Sequence, residues 1–359
     1  MGAMSLSFDV PDDFFANDSS HINFTDFILD PLTISCEINL LSPTVTVGLC
    51  IILIIIFLLA IPGNLLVGWV ISISQHAATP SDVYLFHLTM ADFLMALTIP
   101  FSAVVVVQGW IFGDFMCKLV SLIFDANFYT SILFLACISI DRYLVIVHAS
   151  ETLKSRQRMC SRTVCGAVWA LGCALALPAF FNEAFKPDND KELLICSETF
   201  DIGDAASWRV TIRAFRHIFG FLLPLSVMVT AYSITIGRLL HTRGFQKHRA
   251  MRVIIVVVIV FLLCWMPYHL TMMVDTLLRA KLIPFDCAMR RSVDKALAIT
   301  NSMALFHSCI NPVLYAFVGE KFRKKMKLLL QRRFRQERMS GSKFSRSTSQ
   351  ISDGSQAVF

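Results

Sequence analysis

The sequence is poor in charged residues. Only 16% of its 359 residues are Asp, Glu, Lys or Arg, whereas 55% are hydrophobic, and the hydrophobic residues come in long blocks. An average soluble domain carries about a quarter charged residues. The composition therefore predicts a membrane protein.

The first 40 residues lack the charged and apolar regions of a signal peptide. We therefore expect the first apolar run to act as an uncleaved signal, with the amino terminus outside. No Lys or Arg occurs through Glu37, and no tyrosine precedes Tyr84, so tyrosine sulfation cannot add charge to this stretch. Its acids give it a net charge of −7: Asp9, Asp12, Asp13, Asp18, Asp26, Asp30 and Glu37.

Low hydrophobicity and high charge predict that residues 1–43 form a disordered extracellular arm. Two sequons in this arm predict glycosylation at Asn17 and Asn23. Glycosylation requires entry into the secretory lumen, in agreement with an outer amino terminus.

Seven apolar runs follow, each long enough to cross a bilayer as a helix. They are residues 44–74, 83–107, 119–140, 164–181, 217–237, 253–274 and 296–318. The pattern predicts an all-α seven-transmembrane bundle over residues 44–318. Of the 32 Lys and Arg residues, 21 lie in 142–162, in 238–252 or after 318, so the positive-inside rule places these segments in the cytosol.

The chain from Cys117 to Val147 contains no proline and predicts a straight rod. All other predicted spans contain a proline, and a kinked helix could move against this rod. These prolines are Pro62, Pro100, Pro178, Pro224, Pro267 and Pro312.

Residues 319–335 read as an amphipathic helix, with apolar residues on one side and basic residues elsewhere, which predicts binding to anionic membrane lipid. The composition of residues 336–359 predicts a disordered Ser/Thr-rich cytosolic tail. We expect this tail to be a kinase substrate. Its hydroxyl residues are Ser340, Ser342, Ser345, Ser347, Thr348, Ser349, Ser352 and Ser355.

Several motifs together resemble those of rhodopsin-like G-protein-coupled receptors across all seven spans. They include DRYLVIVHA at 141–149, LTMAD at 88–92, CWMP at 264–267 and NPVLY at 311–315. The DRYLVIVHA ending, TIP at 98–100 and WIFG at 110–113 are similar to the corresponding motifs of chemokine receptors. QKHRAMRV at 246–253 and NFY at 127–129 are most similar to CXC chemokine receptor types 1 and 2, the interleukin-8 receptors.

The resemblance implies a cell-surface receptor, not an enzyme, in the plasma membrane. Its ligand would be a secreted CXC chemokine of the interleukin-8-like Glu-Leu-Arg type. It would couple to the inhibitory class of G protein and drive leukocyte chemotaxis, with arrestin and receptor kinases acting on the tail. A non-signalling scavenger of the same fold remains open, whereas the absence of internal repeats disfavours a transporter. Nucleic acid is not an expected partner.

Four cysteines lie in predicted outer segments, and sequence alone allows three pairings among them. The resemblance implies that Cys117 pairs with Cys196 and Cys36 with Cys287.

Asp92 lies near mid-membrane, where an ionised carboxylate is costly unless it is compensated. We expect Asn127, Ser131, Ser308 and Asn311 to converge on it, as a sodium cage or as a water-filled polar network. No other cofactor is expected.

The resemblance also assigns coupling and switch roles. Arg142 resembles the latch of the inactive state, which later meets the G protein, and large side chains beside the proline kinks could switch rotamer. The residues concerned are Asp141, Arg142, Tyr143, Tyr232, Trp265, Pro267, Asn311, Pro312 and Tyr315.

Basic residues gather at the outer ends of the fifth and seventh spans, opposite the acidic arm. We expect Arg209 and Arg213 to accept a ligand carboxylate and Asp275 to accept a ligand cation. Chemokine receptors usually carry glutamate where this chain has Asn301, and types 1 and 2 carry lysine where it has Phe124. The predicted ligand-binding residues are Asp9, Asp12, Asp13, Asp18, Asp26, Arg209, Arg213, Asp275, Arg290 and Asn301.

Overall fold

The computed structural model describes residues 41–73, 79–148, 151–186, 193–199, 205–240, 245–280, 282–284, 286–318, 326 and 331. Within them the helices are α1 (Pro43–Ile73), α2 (Pro80–Ala96), α3 (Ile99–Gln108), α4 (Gly113–Val147), α5 (Glu151–Leu175), α6 (Ala205–His217), α7 (Leu223–Leu240), α8 (Phe245–Arg279), α9 (Cys287–Leu305) and α10 (His307–Val318). The strands are β1 (Asn182–Phe185) and β2 (Ile195–Glu198).

These helices confirm the predicted all-α bundle. Six stretches of the described chain are long and apolar enough to cross a membrane: 43–73, 80–108, 113–147, 160–181, 207–238 and 259–279. The seventh predicted span corresponds to the end of α9 together with α10. Neither helix alone is a candidate, because α10 has only 12 residues and α9 begins with charged residues, including Arg290 and Asp294.

The predicted rod is α4, whose 35 residues extend about 52 Å at ~1.5 Å per residue. It packs against α2, α5 and α7, and most of its residues from Ala126 to Asp141 are buried. It is therefore the central element against which the neighbouring helices are placed.

The prolines mark breaks or kinks in the neighbouring helices, as predicted. Pro100 begins α3 after α2 has ended, and Pro178 lies in a 3-10 turn at Leu177–Phe181. Pro224 follows a π-helical turn at Ile218–Leu222 that joins α6 to α7. Three further prolines lie inside helices: Pro62 in α1, Pro267 in α8 and Pro312 in α10.

Strands β1 and β2 form an antiparallel hairpin in which Ala184 lies opposite Cys196. A disulfide joins Cys196 to Cys117 near the start of α4, which confirms the pairing that the resemblance implied. Cys287 is also disulfide-bonded; its predicted partner Cys36 lies outside the described residues. The hairpin is thereby tied to the outer end of the rod.

Other predictions also concern the undescribed parts of the chain. The acids of the arm with Asn17 and Asn23, and the hydroxyls of the tail, lie outside the described residues. Of the predicted helix at 319–335, only Met326 and Gln331 are described; both are helical, and Met326 packs against the core of the bundle.

Candidate functional site

Asp275, near the outer end of α8, is surrounded by arginines. Its side chain is 1% exposed. Arg213 of α6 donates to its Oδ2 from Nη1 at 2.5 Å, and Arg290 of α9 donates to its Oδ1 from Nη1 at 2.7 Å. Arg279, one turn later on α8, adds Nε at 3.0 Å. A single buried carboxylate thus joins three helices through three guanidinium groups.

This geometry corrects the expectation that Asp275 is free to accept a ligand cation. A buried carboxylate is costly unless paired, and the sequence supplies its partners from α6, α8 and α9. Arg213 was expected to face the ligand, but it pairs with Asp275 and approaches Glu198 of β2, with 3.5 Å between Nε and Oε2.

The arginine cluster, defined as Arg209, Arg213, Arg279 and Arg290 with Glu198, Asp275 and Asp294, carries one more positive than negative charge. Asp294 pairs with Arg290 at 2.8 Å. The Nε of Arg209 is buried and has no hydrogen-bond partner among the described residues. Arg209 is therefore the cluster residue best suited to receive an anion from outside.

A second buried ion pair lies one turn deeper than Arg213. Arg216 of α6 donates from Nη2 to Asp125 of α4, and from Nη1 to the Tyr268 hydroxyl of α8 at 3.2 Å. Its guanidinium carbon also lies 5.5 Å from the centroid of the Phe128 ring, within the range of a cation–π contact. The pair therefore connects α4, α6 and α8.

Sequence reasoning missed this pair. The signal that could have found it was an acid inside the apolar run 119–140. A carboxylate inside a span requires a nearby partner, and Arg216 begins the next run that could supply one.

Aromatic rings continue inward from Arg216. The Phe128 centroid lies 4.5 Å from that of Trp265, and the Trp265 centroid lies 5.4 Å from that of His307. Trp265, the predicted switch residue, is fully buried and lies two residues before Pro267 inside α8. His307 Nε2 lies 3.3 Å from Oδ1 of Asp92. A chain of direct contacts thus leads from the second ion pair to the mid-membrane aspartate.

Asp92 is fully buried and accepts two hydrogen bonds. Ser131 donates to Oδ1 at 2.9 Å, and Asn311 donates from Nδ2 to Oδ2 at 2.8 Å. Of the other two predicted neighbours, Asn127 donates its amide to the Ile123 carbonyl at 2.6 Å and Ser308 donates its hydroxyl to the Leu305 carbonyl at 2.8 Å.

The structure thus unites Asp92 with two of its four predicted neighbours and adds His307, which sequence reasoning did not single out. The Oδ1 of Asn127 is buried and has no hydrogen-bond partner within the part of the chain that the structure describes. A buried oxygen of this kind is suited to an ordered water or a cation.

At the cytosolic end, Asp141 is 5% exposed and accepts a hydrogen bond from Ser81 of α2. Arg142 beside it is half-buried. The Ser139 hydroxyl lies 2.5 Å from that of Tyr232, which joins α4 to α7. These contacts hold the end of α4 between α2 and α7. The latch role of Arg142 stays a prediction.

Tyr143 and Tyr315 behave differently from this group. The Tyr143 hydroxyl lies 3.1 Å from Nε2 of His148, at the end of its own helix. Tyr315 lies on α10, after Pro312, and its side chain is outside the described residues.

Comparison with known proteins identifies the family to which this chain belongs. Residues 63–315 match the family of seven-transmembrane receptors of the rhodopsin family. The chain is 47% identical to C-X-C chemokine receptor type 1 of Oryctolagus cuniculus over 271 residues, which cover 75% of each chain. It is 46% identical to C-X-C chemokine receptor type 2 of Homo sapiens over 271 residues, 75% of this chain and 74% of the relative. The chain therefore belongs to the chemokine receptors of the rhodopsin family, which are multi-pass receptors of the plasma membrane and not enzymes.

Proposed function

We propose that this receptor binds a secreted CXC chemokine of the interleukin-8-like, Glu-Leu-Arg type and activates the inhibitory class of G protein, and so drives leukocyte chemotaxis. The observation that carries the proposal is the line of contacts through the bundle. It begins at the ion pair of Asp125 and Arg216, passes through Phe128, Trp265 and His307 to Asp92, and includes residues of the α4 rod, whose cytosolic end carries Asp141.

The outer surface suits a basic protein with an acidic end. The arm carries seven acids and attracts a cationic ligand over long distance, whereas the arginine cluster offers Arg209 to a carboxylate of that ligand. A ligand with charges of one sign only would engage one of these surfaces and be repelled by the other.

The inner surface suits a G protein. Asp141 is held by Ser81, and Tyr232 links α4 to α7 beside it, so a shift of α7 would change the surroundings of Arg142. We further propose that the hydroxyl-rich tail recruits receptor kinases and arrestin, and that residues 319–335 contact membrane lipid.

The test is activation of an inhibitory G protein in cells by a panel of CXC chemokines, with Arg142→Glu as a matched control that leaves the outer surface intact. We expect Glu-Leu-Arg chemokines to activate the unmodified receptor and to bind the control without activating it. Binding and internalisation without G-protein activation by the unmodified receptor would identify a scavenger instead.

We also propose that the Asp92 site holds a sodium ion. The donor set fits, because Asp92 supplies the negative charge and the Ser131 hydroxyl a neutral oxygen. We place the buried Oδ1 of Asn127, one turn before Ser131 on α4 and without a hydrogen-bond partner among the described residues, as a further ligand. A bound cation would provide a counter-charge in mid-membrane. Sodium, compared with potassium at equal ionic strength, should raise the melting temperature of the receptor but not that of Asp92→Asn. Equal effects of the two ions would favour a water network.

A further inference from the structure

Ser81, near the start of α2, is buried against the cytosolic end of α4. Ser81 and Asp141 are each 5% exposed, and the Ser81 hydroxyl donates a hydrogen bond to Oδ2 of Asp141. A hydrogen bond to an ionised acceptor is roughly twice as strong as one between neutral groups. The buried carboxylate of α4 is therefore satisfied by a side chain from a neighbouring helix.

The first turn of α2 holds Ser81 in place. The helix begins at Pro80, and Thr79 caps it. The Asp82 carboxylate accepts a hydrogen bond from the Thr79 backbone nitrogen at 2.9 Å, and the Thr79 hydroxyl accepts one from the Asp82 backbone nitrogen at 3.3 Å. Reciprocal capping of this kind fixes the start of a helix. It also engages the Asp82 carboxylate, which leaves the Ser81 hydroxyl to Asp141.

Arg142 follows Asp141 directly and is half-buried. Among the described residues no ion pair joins the two, because the hydrogen bond to Asp141 comes from Ser81 and Arg142 adds only a longer-range attraction. Successive residues of a helix do not face each other, so the Arg142 side chain must fold back to reach Asp141 and loses rotamer freedom when it does so. The gain from that pairing is smaller for a carboxylate that Ser81 already satisfies.

We propose that Ser81 is a positioning residue for Arg142. Its hydroxyl satisfies the Asp141 carboxylate and so leaves the Arg142 guanidinium available to the G protein. Without that hydroxyl the buried carboxylate would lack its hydrogen bond, and an ion pair with Arg142 would replace it. This inference rests on the proposed function and adds a residue of α2 that sets how strongly the receptor couples.

A purely structural role for Ser81 makes a different prediction. As a contact between α2 and α4 alone, the hydrogen bond would affect stability but would be independent of Arg142. A positioning role requires that the contribution of Arg142 depend on the presence of the Ser81 hydroxyl. The coupling between these two residues is therefore the quantity to measure.

The first test is thermal unfolding of the purified, ligand-free, full-length receptor. Arg142→Gln should lower the melting temperature by less than about 1 °C in the unmodified receptor, and by about 3 °C or more in the Ser81→Ala background, where Arg142 pairs with Asp141. Ser72→Ala is the matched control background, because the Ser72 hydroxyl donates to the Trp69 carbonyl of its own helix at 2.8 Å. Equal losses in all three backgrounds would overturn the inference.

The second test is nucleotide exchange on an inhibitory G protein in membranes, with a saturating concentration of one activating chemokine and normalisation to receptor number. Ser81→Ala should reduce exchange about threefold or more and leave chemokine affinity within about threefold, because the chemokine binds across the bilayer. Ser81→Thr keeps the hydroxyl and should restore most of the exchange. On an Asp141→Asn background, which removes the contested carboxylate, Ser81→Ala should change exchange by less than about 1.5-fold.

Exchange that is unchanged or increased in Ser81→Ala would contradict the positioning role, as would an equal reduction on the Asp141→Asn background. If Ser81→Ala fails to fold, Arg142→Gln alone decides. A loss below about 1 °C supports the inference, and a loss of about 3 °C or more shows that Arg142 already pairs with Asp141 and overturns it. If no chemokine activated the unmodified receptor, the proposed function would fail, whereas the unfolding test would still decide the role of Ser81.

Discussion

The charge of Asp275 should be needed for the stability of the receptor, even in the absence of a ligand. Asp275→Asn keeps the shape of the side chain but leaves Arg213 and Arg290, which are 10% and 15% exposed, facing a neutral amide. Removing one member of a buried pair typically costs about 3–5 kcal/mol. Arg279 is 32% exposed, so solvent largely screens its interaction with Asp275, and losing that interaction adds little to the destabilisation. We therefore expect a loss of about 3 kcal/mol.

The assay is thermal unfolding of the purified, ligand-free receptor. A loss of this size should lower the melting temperature by on the order of 5 °C for a chain of this length. Asp294→Asn is the matched control, because its carboxylate also pairs with Arg290 but is 49% exposed, and it should change stability by less than about 1 kcal/mol. An unchanged melting temperature combined with lost chemokine binding would refute this reasoning and make Asp275 a direct ligand contact.

Three further predictions concern the arm, the cytosolic end and the packing between helices. Neutralising the six aspartates of the arm together should slow chemokine association and reduce its salt dependence, whereas an unchanged association rate would make the arm a passive tail. Arg142→Glu should abolish G-protein activation and leave chemokine affinity within about threefold, measured by binding and nucleotide exchange on the same membranes. Gly220→Ala should lower the free energy of unfolding by about 1–3 kcal/mol, because a Cβ there would meet the Phe128 ring at 2.6 Å. Gly237→Ala should be tolerated in the same unfolding assay, because a Cβ there would meet no atom of the described residues within 4 Å. The six aspartates are Asp9, Asp12, Asp13, Asp18, Asp26 and Asp30.

Most of the fold could be predicted because a bilayer leaves few choices. Backbone polar groups in hydrocarbon must be paired within the segment, so a long apolar run becomes a helix. The sequence therefore predicts α1 and α4 closely. It does not predict the break between α9 and α10 at Phe306, because the apolar run 296–318 continues through that residue and its proline, Pro312, lies six residues later.

The positions of the site residues along each helix were predictable, but their partners were not. Asp92 with Ser131 and Asn311 follows from polarity in the middle of three spans. For Asn127 and Ser308, a backbone carbonyl three or four residues earlier in the chain accepts the hydrogen bond in place of the carboxylate, and no apolar pattern records that competition. The position of the backbone carbonyl therefore determines the hydrogen-bond partner of each of these two side chains.

The outer charges show why partner choice cannot be read from one sequence. Several arginines and acids lie near the ends of α4, α6, α8 and α9, and each could pair with more than one of the others. The order of burial separates them. The most deeply buried carboxylate, Asp275, takes three arginines, and the less buried Asp125 takes one. The number of arginines on a carboxylate therefore depends on which helix faces meet around it, and that arrangement is a property of the packed bundle and not of any single stretch of the sequence.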